Sequence, residues 1–318
     1  MVWVWALGAV ILAVITILYY KFVDGDLRLM FNENFGTDPS ELAGKVVWIV
    51  GASSGIGEHM AYELAKFQCK LVLSARREEE LERVKKKCIG VGGVPDGHVL
   101  VLPMDVLDHS THKEKLKEVL QKFNKLDILI NNAGRMHSGA WEEIAIEEDK
   151  EVFDINVFSL ICLTRAVLPH FIEKREGQIV LVSSLAGISG FPQGSAYSAS
   201  KHAMHGYMES LRMEKILDNI SVTILCPGGV ETDILKFAVA SKANKNPVKK
   251  SEHKRMTVER CAQLSVVAIA NKMPVTWMCL NPVLIFMYIY HCPWISTKLI
   301  EIMMKKQKQS KPEDPKDK

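Results

Sequence analysis

A tyrosine and a lysine stand four residues apart in Tyr197-Ser-Ala-Ser-Lys201. Side chains at this spacing lie on the same face of a helix. A free tyrosine has a pKa of about 10 and is a poor base near neutral pH, but a nearby ammonium group favours the phenolate and lowers that pKa. The pair therefore has the chemistry of a proton donor and acceptor. Taken alone, two exposed polar residues on a helix are the simpler interpretation.

A glycine-rich turn follows the apolar, β-branched run Val46–Val50. Gly51, Gly55 and Gly57 lead from this run into a segment with apolar residues at helical spacing. A strand, a glycine turn and a helix open a nucleotide-binding unit, because glycine lets backbone approach a pyrophosphate and the helix N-terminus attracts phosphate. For the glycine motif alone, a purely structural turn is nearly as good an interpretation.

Four motifs together resemble those of the short-chain dehydrogenase/reductase family, between about Gly44 and Thr232. The cofactor loop is Gly51-Ala-Ser-Ser-Gly-Ile-Gly57, and Val50 stands where the family usually has a threonine that braces this loop. The others are Asn131-Asn-Ala-Gly134, then Ser184 with Tyr197-Ser-Ala-Ser-Lys201, then Pro227-Gly228 with Thr232.

This resemblance implies a catalytic tetrad of Ser184, Tyr197, Lys201 and Asn156. Ser184 stands thirteen residues before Tyr197, which is the family interval, and it would bind the substrate oxygen. Lys201 would lower the pKa of Tyr197 and bind the nicotinamide ribose. Asn156 would hold a water in a proton relay behind Lys201. A helix-interior asparagine bonded to backbone is an interpretation of Asn156 compatible with that role.

The resemblance also implies a bound nicotinamide dinucleotide. Arg76, at the end of the second predicted strand, decides between its two forms, because an acidic residue there would bind a ribose 2′-hydroxyl whereas arginine suits a 2′-phosphate. NADP(H) is therefore favoured over NAD(H), and a simple surface base is the alternative. The remaining expected cofactor contacts are Ser53, Ser54 and Ile56 with the loop glycines, Arg77, Asp105, Asn131, Pro227, Gly228, Thr232, Tyr197 and Lys201.

Composition limits the other classes of function. The chain has 318 residues, of which 48% are hydrophobic and 24% charged, and this suits one large domain with appendages. A formal charge of +3 is too small to indicate a nucleic-acid partner. The seven cysteines are dispersed and form no C-x-x-C, so we expect reduced thiols and neither a disulfide framework nor a metal site.

Apolar runs alternate with helical segments through the middle of the chain. This alternation predicts an α/β fold with a doubly wound, Rossmann-like parallel sheet of about seven strands in a single domain. Ligands then bind at the carboxyl ends of the strands, where the strand order reverses. The predicted strands are 46–50, 71–75, 99–104, 127–130, 179–182, 222–225 and 275–280.

Both ends of the chain predict appendages to the catalytic domain, 44–272. Val2–Tyr20 carries no charged residue and is long enough to span a bilayer, which favours an uncleaved anchor at 1–23 over a signal peptide. Residues 24–43 are interpreted as a linker. The apolar extension 273–304 would hold the last strand and helices that cap the pocket or lie in the membrane interface. Residues 305–318 are expected to be a disordered, charged tail.

The resemblance is to a membrane-anchored, endoplasmic-reticulum group within the family, and it implies a lipophilic carbonyl or secondary alcohol substrate that is steroid- or retinoid-like. The basic residues that follow the anchor lean towards a cytosolic catalytic domain. Seven lysines and arginines between 234 and 256 form either a solvated loop or a contact with membrane lipid. A homodimer is common in the family. The competing hypothesis is a catalytically silent, nucleotide-binding membrane adaptor.

Overall fold

The computed structural model describes residues 23–232, 239–240 and 254–309, together with helical positions 5, 8 and 14. Most of the predicted anchor Val2–Tyr20, most of the 234–256 segment and residues 310–318 lie outside these residues. The sequence predicted one catalytic domain with an N-terminal anchor and a C-terminal extension. Two compact units divide the chain. One is Val23–Leu280, and the other combines Met1–Phe22 with Asn281–Lys318.

A seven-stranded sheet forms the centre of the unit Val23–Leu280, and all of its strand pairs are parallel. The strand order is β3-β2-β1-β4-β6-β7-β9, so the order reverses between β1 and β4. This confirms the predicted doubly wound sheet. The strands are β1 Val46–Val50, β2 Lys70–Ser74, β3 Val99–Val101, β4 Ile128–Asn131, β6 Gly177–Val182, β7 Ile220–Pro227 and β9 Val275–Met278. Two short strands, β5 His137–Ser138 and β8 Val239–Ala240, pair separately.

Helices cover both faces of this sheet. On one face, α2 Gly55–Lys66 packs between α3 Glu78–Gly92 and α8 Val258–Ala270, and α8 also contacts α1 Leu27–Phe35. On the other face lie α4 His112–Phe123, α6 Ser159–Lys174 and α7 Ser195–Glu214. Every residue of β1 is buried, as its unbroken apolar run predicts for a strand covered on both sides.

The long helical stretch Ile146–Lys174 is interrupted in its first half. It begins as α5, Ile146–Phe153, passes through a π-helical turn at Asp154–Phe158, and continues as α6. Among the described residues, Ile146–Lys174 is the one helical stretch long and apolar enough to cross a membrane, and half of its most apolar window is buried. Because α6 packs against α4, the core of this unit explains that apolarity.

The segment 24–43, interpreted from the sequence as a linker, is instead fixed to the unit by specific contacts. The carboxylate of Asp26 caps α1 by accepting from the Leu29 N–H at 2.9 Å, and its other oxygen accepts from the Trp277 N–H at 2.7 Å. Arg260 on α8 donates to both oxygens of Asp24, at 2.7 and 3.0 Å, and also to Glu33. The sequence does not reveal these contacts, because the partner residues lie more than two hundred positions away in the chain.

The extension predicted at 273–304 is divided between the two units. Its strand β9 belongs to Val23–Leu280, whereas α9 Val283–Tyr290 and α10 Pro293–Gln309 belong to the other unit. Helix α10 continues five residues beyond 304, into the segment predicted to be a disordered tail. Residues 305–309 are lysine and glutamine, which favour helix, so the charge of this segment does not end the helix.

We predict that Asp26→Ala destabilises the unit Val23–Leu280 by roughly 2–4 kcal/mol, because it removes a helix cap and two further charge-assisted hydrogen bonds. Those two bonds come from the Thr276 hydroxyl at 2.8 Å and the Trp277 N–H. Urea unfolding of the detergent-solubilised full chain measures this. Asp26→Asn retains the cap and should lose less. Equal stability of wild type and Asp26→Ala would contradict the structural role.

Candidate active site

Tyr197 and Lys201 lie in the first two turns of α7, and burial shapes the chemistry of both. Their exposed fractions are 8% and 3%. The Lys201 ammonium lies 5.6 Å from the centre of the Tyr197 ring and donates to the Val182 carbonyl at 3.0 Å. The predicted shared helix face is therefore present, and its two polar groups are withdrawn from bulk solvent.

Ser184 joins this pair from the end of β6. It precedes a single 3₁₀ turn, Leu185–Gly187, and its hydroxyl accepts from the Ala186 N–H at 3.1 Å. The same hydroxyl lies near the phenol of Tyr197, whose pKa it lowers. The turn therefore points a polar side chain at the tyrosine, at the carboxyl end of the sheet where ligands of such folds bind.

Asn156 lies in the π-helical turn and is fully buried. Its side-chain oxygen accepts from the Arg135 N–H at 2.7 Å, and its amide donates to the Arg135 carbonyl at 2.9 Å and to the Ser200 hydroxyl at 3.0 Å. Ser200 in turn donates to the Tyr197 carbonyl at 2.7 Å. Asn156 is therefore bonded to backbone, as one interpretation of the sequence expected, and it is also bonded directly to α7 through Ser200.

Gly134 shows that Asn156 and Lys201 approach the same point. A Cβ atom added to Gly134 would lie 3.4 Å from the Asn156 side-chain oxygen and 3.5 Å from the Lys201 ammonium. All four members of the predicted tetrad are thus connected within one region, which stretches from Ser184 through Tyr197 and Lys201 to Asn156.

Burial, rather than the lysine, dominates the ionisation of the tyrosine. Desolvation raises the pKa of Tyr197 above its ordinary value, and the nearby Ser184 hydroxyl offsets this only in part. Burial also lowers the pKa of Lys201 to about 8. This differs from the expectation that Lys201 lowers the pKa of Tyr197, because the ammonium is bonded to the Val182 carbonyl and is itself desolvated. The tyrosine is consequently protonated at neutral pH.

His205 packs against the 3₁₀ turn that follows Ser184, and its role was not recognised from the sequence. Its Nε2 lies 2.8 Å from the Ser183 hydroxyl and 3.7 Å from the Cys226 thiol. A Cβ atom on Gly187 would lie 2.8 Å from the same nitrogen, so the ring packs directly on the turn that carries Ser184. Burial lowers the pKa of His205 to about 4. Only its spacing of eight residues from Tyr197, on the same face of the helix, pointed to this contact.

Two glycines let the loop between β1 and α2 pack closely against its neighbours and leave a concave backbone surface, or cradle. Gly51 has φ +88°, and a Cβ atom there would come within 2.8 Å of the Ala133 nitrogen. A Cβ atom on Gly57 would lie 2.4 Å from both the Asn132 amide and the Gly51 carbonyl. Glycine is required at both positions, because real Cβ atoms do not approach neighbours this closely. The loop is held against the turn that follows β4.

Helix α2 begins inside this cradle with its N-terminal N–H groups available. Ser54 is the N-cap residue, but its side chain makes no capping hydrogen bond. Gly55 has φ +61°, and a Cβ atom there would lie 3.5 Å from the Thr232 methyl group, so the two predicted cofactor segments meet. Ile56 is partly buried against the core. A cradle that side chains would fill, and a helix N-terminus without a side-chain cap, fit a dinucleotide pyrophosphate.

The other expected cofactor residues lie at carboxyl ends of strands. Arg76 and Arg77 follow β2 and are exposed, and Arg77 donates to the Ser53 hydroxyl at 3.2 Å. Asp105 is exposed and accepts from the Leu107 N–H at 3.0 Å. Asn131 ends β4 fully buried, and its side-chain oxygen has no hydrogen-bond partner among the described residues. Pro227 ends β7, and a Cβ atom on Gly228 would lie 2.7 Å from Cys279.

Comparison with known proteins agrees with this geometry. Residues 45–243 match the family model described as short chain dehydrogenase. The chain is 40% identical to Dehydrogenase/reductase SDR family member 7 of Mus musculus, over 94% of this chain and 91% of that protein. It is 35% identical to 11-beta-hydroxysteroid dehydrogenase of Pinus massoniana, over 70% and 59% of the two chains. A crystal structure of a short-chain dehydrogenase from Streptomyces avermitilis superimposes with a TM-score of 0.68 at 27% identity, covering 85% of this chain and all of that one.

We predict that His205 makes the unfolding free energy depend on pH. Its folded-state pKa of about 4 lies below the ordinary value of 6.5, so between these values the unfolded chain binds more protons. Stability should therefore rise with pH across this window and fall, by up to about 3 kcal/mol, as the pH drops through it. Urea unfolding midpoints at a series of pH values test this.

In His205→Gln this part of the pH dependence should disappear. The control is His109→Gln, which removes an exposed histidine outside α7 and should retain the slope. An unchanged slope in His205→Gln would show that other groups control the acid lability of the fold.

Proposed function

The chain belongs to the short-chain dehydrogenase/reductase family, and from that premise we propose that it is an NADP(H)-dependent oxidoreductase acting on a carbonyl or secondary alcohol of a lipophilic substrate. The observation that carries the proposal is that the four tetrad residues lie together. Lys201 lies beside the Tyr197 ring, Asn156 is linked through Ser200 to the Tyr197 carbonyl, and Ser184 lies near the Tyr197 phenol. No member of the set has been replaced by a residue unable to perform its role.

The residues of this chain supply the proton chemistry. When bound, the nicotinamide nucleotide supplies or accepts the hydride. Ser184 orients the substrate oxygen. Tyr197, whose burial keeps the phenol protonated at neutral pH, donates its proton to that oxygen in the direction of reduction. Burial lowers the pKa of Lys201 to about 8, so the Lys201 ammonium can lose and regain a proton near neutral pH. Asn156 supports the proton relay behind Lys201. The nucleotide would be held by Gly51, Gly55 and Gly57 and by the N-terminus of α2.

A lipophilic substrate is supported by the apolar surroundings of the tyrosine. Phe191 meets the Tyr197 ring edge-to-face, with ring centres 6.3 Å apart. Phe191 also lines a cavity of about 510 Å³ together with Trp141 and Pro192. The relative from Pinus massoniana is named as a steroid dehydrogenase. A steroid- or retinoid-like ring system is therefore the substrate class that we propose.

We also propose that the protein is anchored in the endoplasmic-reticulum membrane through Val2–Tyr20, with the catalytic unit on the cytosolic side. The uncharged sequence of this stretch is the support for the anchor, and the basic residues that follow it support the orientation. A homodimer, as is common in the family, remains part of the proposal.

The second candidate function is a nucleotide-binding membrane adaptor that performs no turnover. The extensive burial of Tyr197, with 8% of its surface exposed, is the one observation that favours it, since a substrate must reach this hydroxyl. A cofactor-consumption screen over lipophilic ketones and alcohols separates the two hypotheses. Tight nucleotide binding without turnover of any compound in a broad panel would favour the adaptor.

Tyr197→Phe should lower kcat by roughly 100- to 10,000-fold, because it removes the proton donor and leaves the shape of the site unchanged. The dissociation constant for NADPH should change little. The matched control is Tyr207→Phe on the same helix, where the tyrosine is 45% exposed. Near-normal kcat in Tyr197→Phe would show that the proposed mechanism is wrong.

Arg76→Ala should weaken NADPH binding by roughly ten- to a hundredfold, because a charge-assisted contact to phosphate is worth about 1.5–3 kcal/mol. NADH binding should change little. Arg76 is exposed at the end of β2, whereas Arg77 is already bonded to Ser53, so Arg77→Ala should have the smaller effect on nucleotide choice.

Arg76→Asp should invert the preference, since a carboxylate accepts from a ribose hydroxyl and repels phosphate. Titration of both nucleotides into wild type, the single variants and the Arg76/Arg77 double variant measures this. Equal losses for NADH and NADPH would mean that Arg76 is structural, and a wild-type preference for NADH would contradict the cofactor assignment.

A further inference from the structure

Helix α1 presents two aromatic side chains to solvent. Phe31 and Phe35 are 61% and 76% exposed, and their rings are in contact with centres 5.3 Å apart. Four residues separate them, so they lie on one face of the helix. Leu27, four residues earlier, is 60% exposed. Clustered large apolar side chains on a surface mark a site of contact with another molecule or with lipid.

The rest of the unit holds α1 in this orientation. Leu29, on the opposite face, is fully buried. Asp26 caps the first turn, and Arg260 binds Glu33 on the side of the helix that faces α8. The helix cannot rotate to bury Phe31 and Phe35 without breaking these contacts. Its acidic residue Glu33 is neutralised on the protein side and so does not oppose an apolar environment at the aromatic face.

The position of α1 in the chain indicates what covers this face. The uncharged stretch Val2–Tyr20 ends seven residues before the helix begins, and seven residues span at most about 25 Å. If that stretch crosses a bilayer, α1 must begin close to the membrane surface. Lys21 and exposed Arg28 add positive charge at the same level, where anionic headgroups lie. Aromatic side chains with basic neighbours are typical of helices that lie in the membrane interface.

We propose that the face of α1 formed by Phe31 and Phe35 inserts into the interfacial layer of the same bilayer that holds residues 2–20. This inference rests on the proposed membrane anchoring. Because α1 is fixed to α8 and to the edge strand β9, the insertion would hold that edge of the sheet against the membrane. A lipophilic substrate dissolved in the bilayer would then have a short path to the unit that carries Tyr197.

Site-specific fluorescence on the full chain tests the proposal. Phe31→Cys and Phe35→Cys are made in a Cys162→Ser/Cys292→Ser background and labelled with a nitrobenzoxadiazole dye. Each is reconstituted into phosphatidylcholine vesicles with a minor share of phosphatidylserine, with or without a lipid bearing a doxyl quencher near its headgroup. The matched control is Val91→Cys, a 45% exposed apolar position on α3, which lies at the opposite edge of the sheet from β9.

The proposal expects dye at 31 and 35 to shift its emission to shorter wavelength and to lose most of its intensity with doxyl lipid, while dye at 91 does neither. Vesicle flotation reports the anchoring separately. A chain that floats but shows no lipid quenching at 31 and 35 overturns the insertion and leaves the anchoring intact. Shielding from aqueous iodide without lipid quenching would assign the face to a protein. A chain that does not float overturns both.

Discussion

The contact between the glycine loop and the turn after β4 is the constraint on which the site depends. Gly51 takes up a left-handed conformation directly against the Ala133 backbone, and the Asn132 side chain donates to the Gly51 carbonyl at 2.8 Å. Gly57 packs against the same amide. Any side chain at either glycine would push apart β1 and β4, the two strands between which the sheet reverses its order. The glycine loop and the crevice between β1 and β4 therefore both depend on this one packing contact.

The turn after β4 is also linked to α7, the helix that carries Tyr197 and Lys201. One residue beyond the glycine loop contact, Gly134 leaves room between Asn156 and Lys201, and both backbone groups of Arg135 are bound by the Asn156 side chain. Asn156 continues through Ser200 to the Tyr197 carbonyl. The side chains of Asn156 and Ser200 thus link the turn after β4 to the backbone of Tyr197.

Local patterns in the sequence predicted most of the fold, and the family resemblance supplied the predicted tetrad. Seven apolar runs predicted seven strands, and the tetrad residues lie together because each follows, or packs beside, a carboxyl end of a strand. The missing parts depend on tertiary contacts. The π-helical turn has no sequence pattern of its own. The role of His205 depends on its contact with Ser183, which only the folded structure shows. The pKa of Tyr197 depends on burial, which the spacing of residues in the sequence does not predict. The acidic residues before α1 were interpreted as a linker for the same reason.

Asp24 and Asp26 also cover an edge of the sheet. Strand β9 is the edge strand beside β7, and an uncovered edge offers unpaired N–H and C=O groups to other chains. Here the Asp26 N–H donates to the Trp277 carbonyl at 2.9 Å, and the Cys279 N–H donates to the Asp24 carbonyl at 2.9 Å. The Asp26 carboxylate takes the Trp277 N–H. The segment 24–26, which follows the predicted anchor in the sequence, therefore covers the edge strand β9.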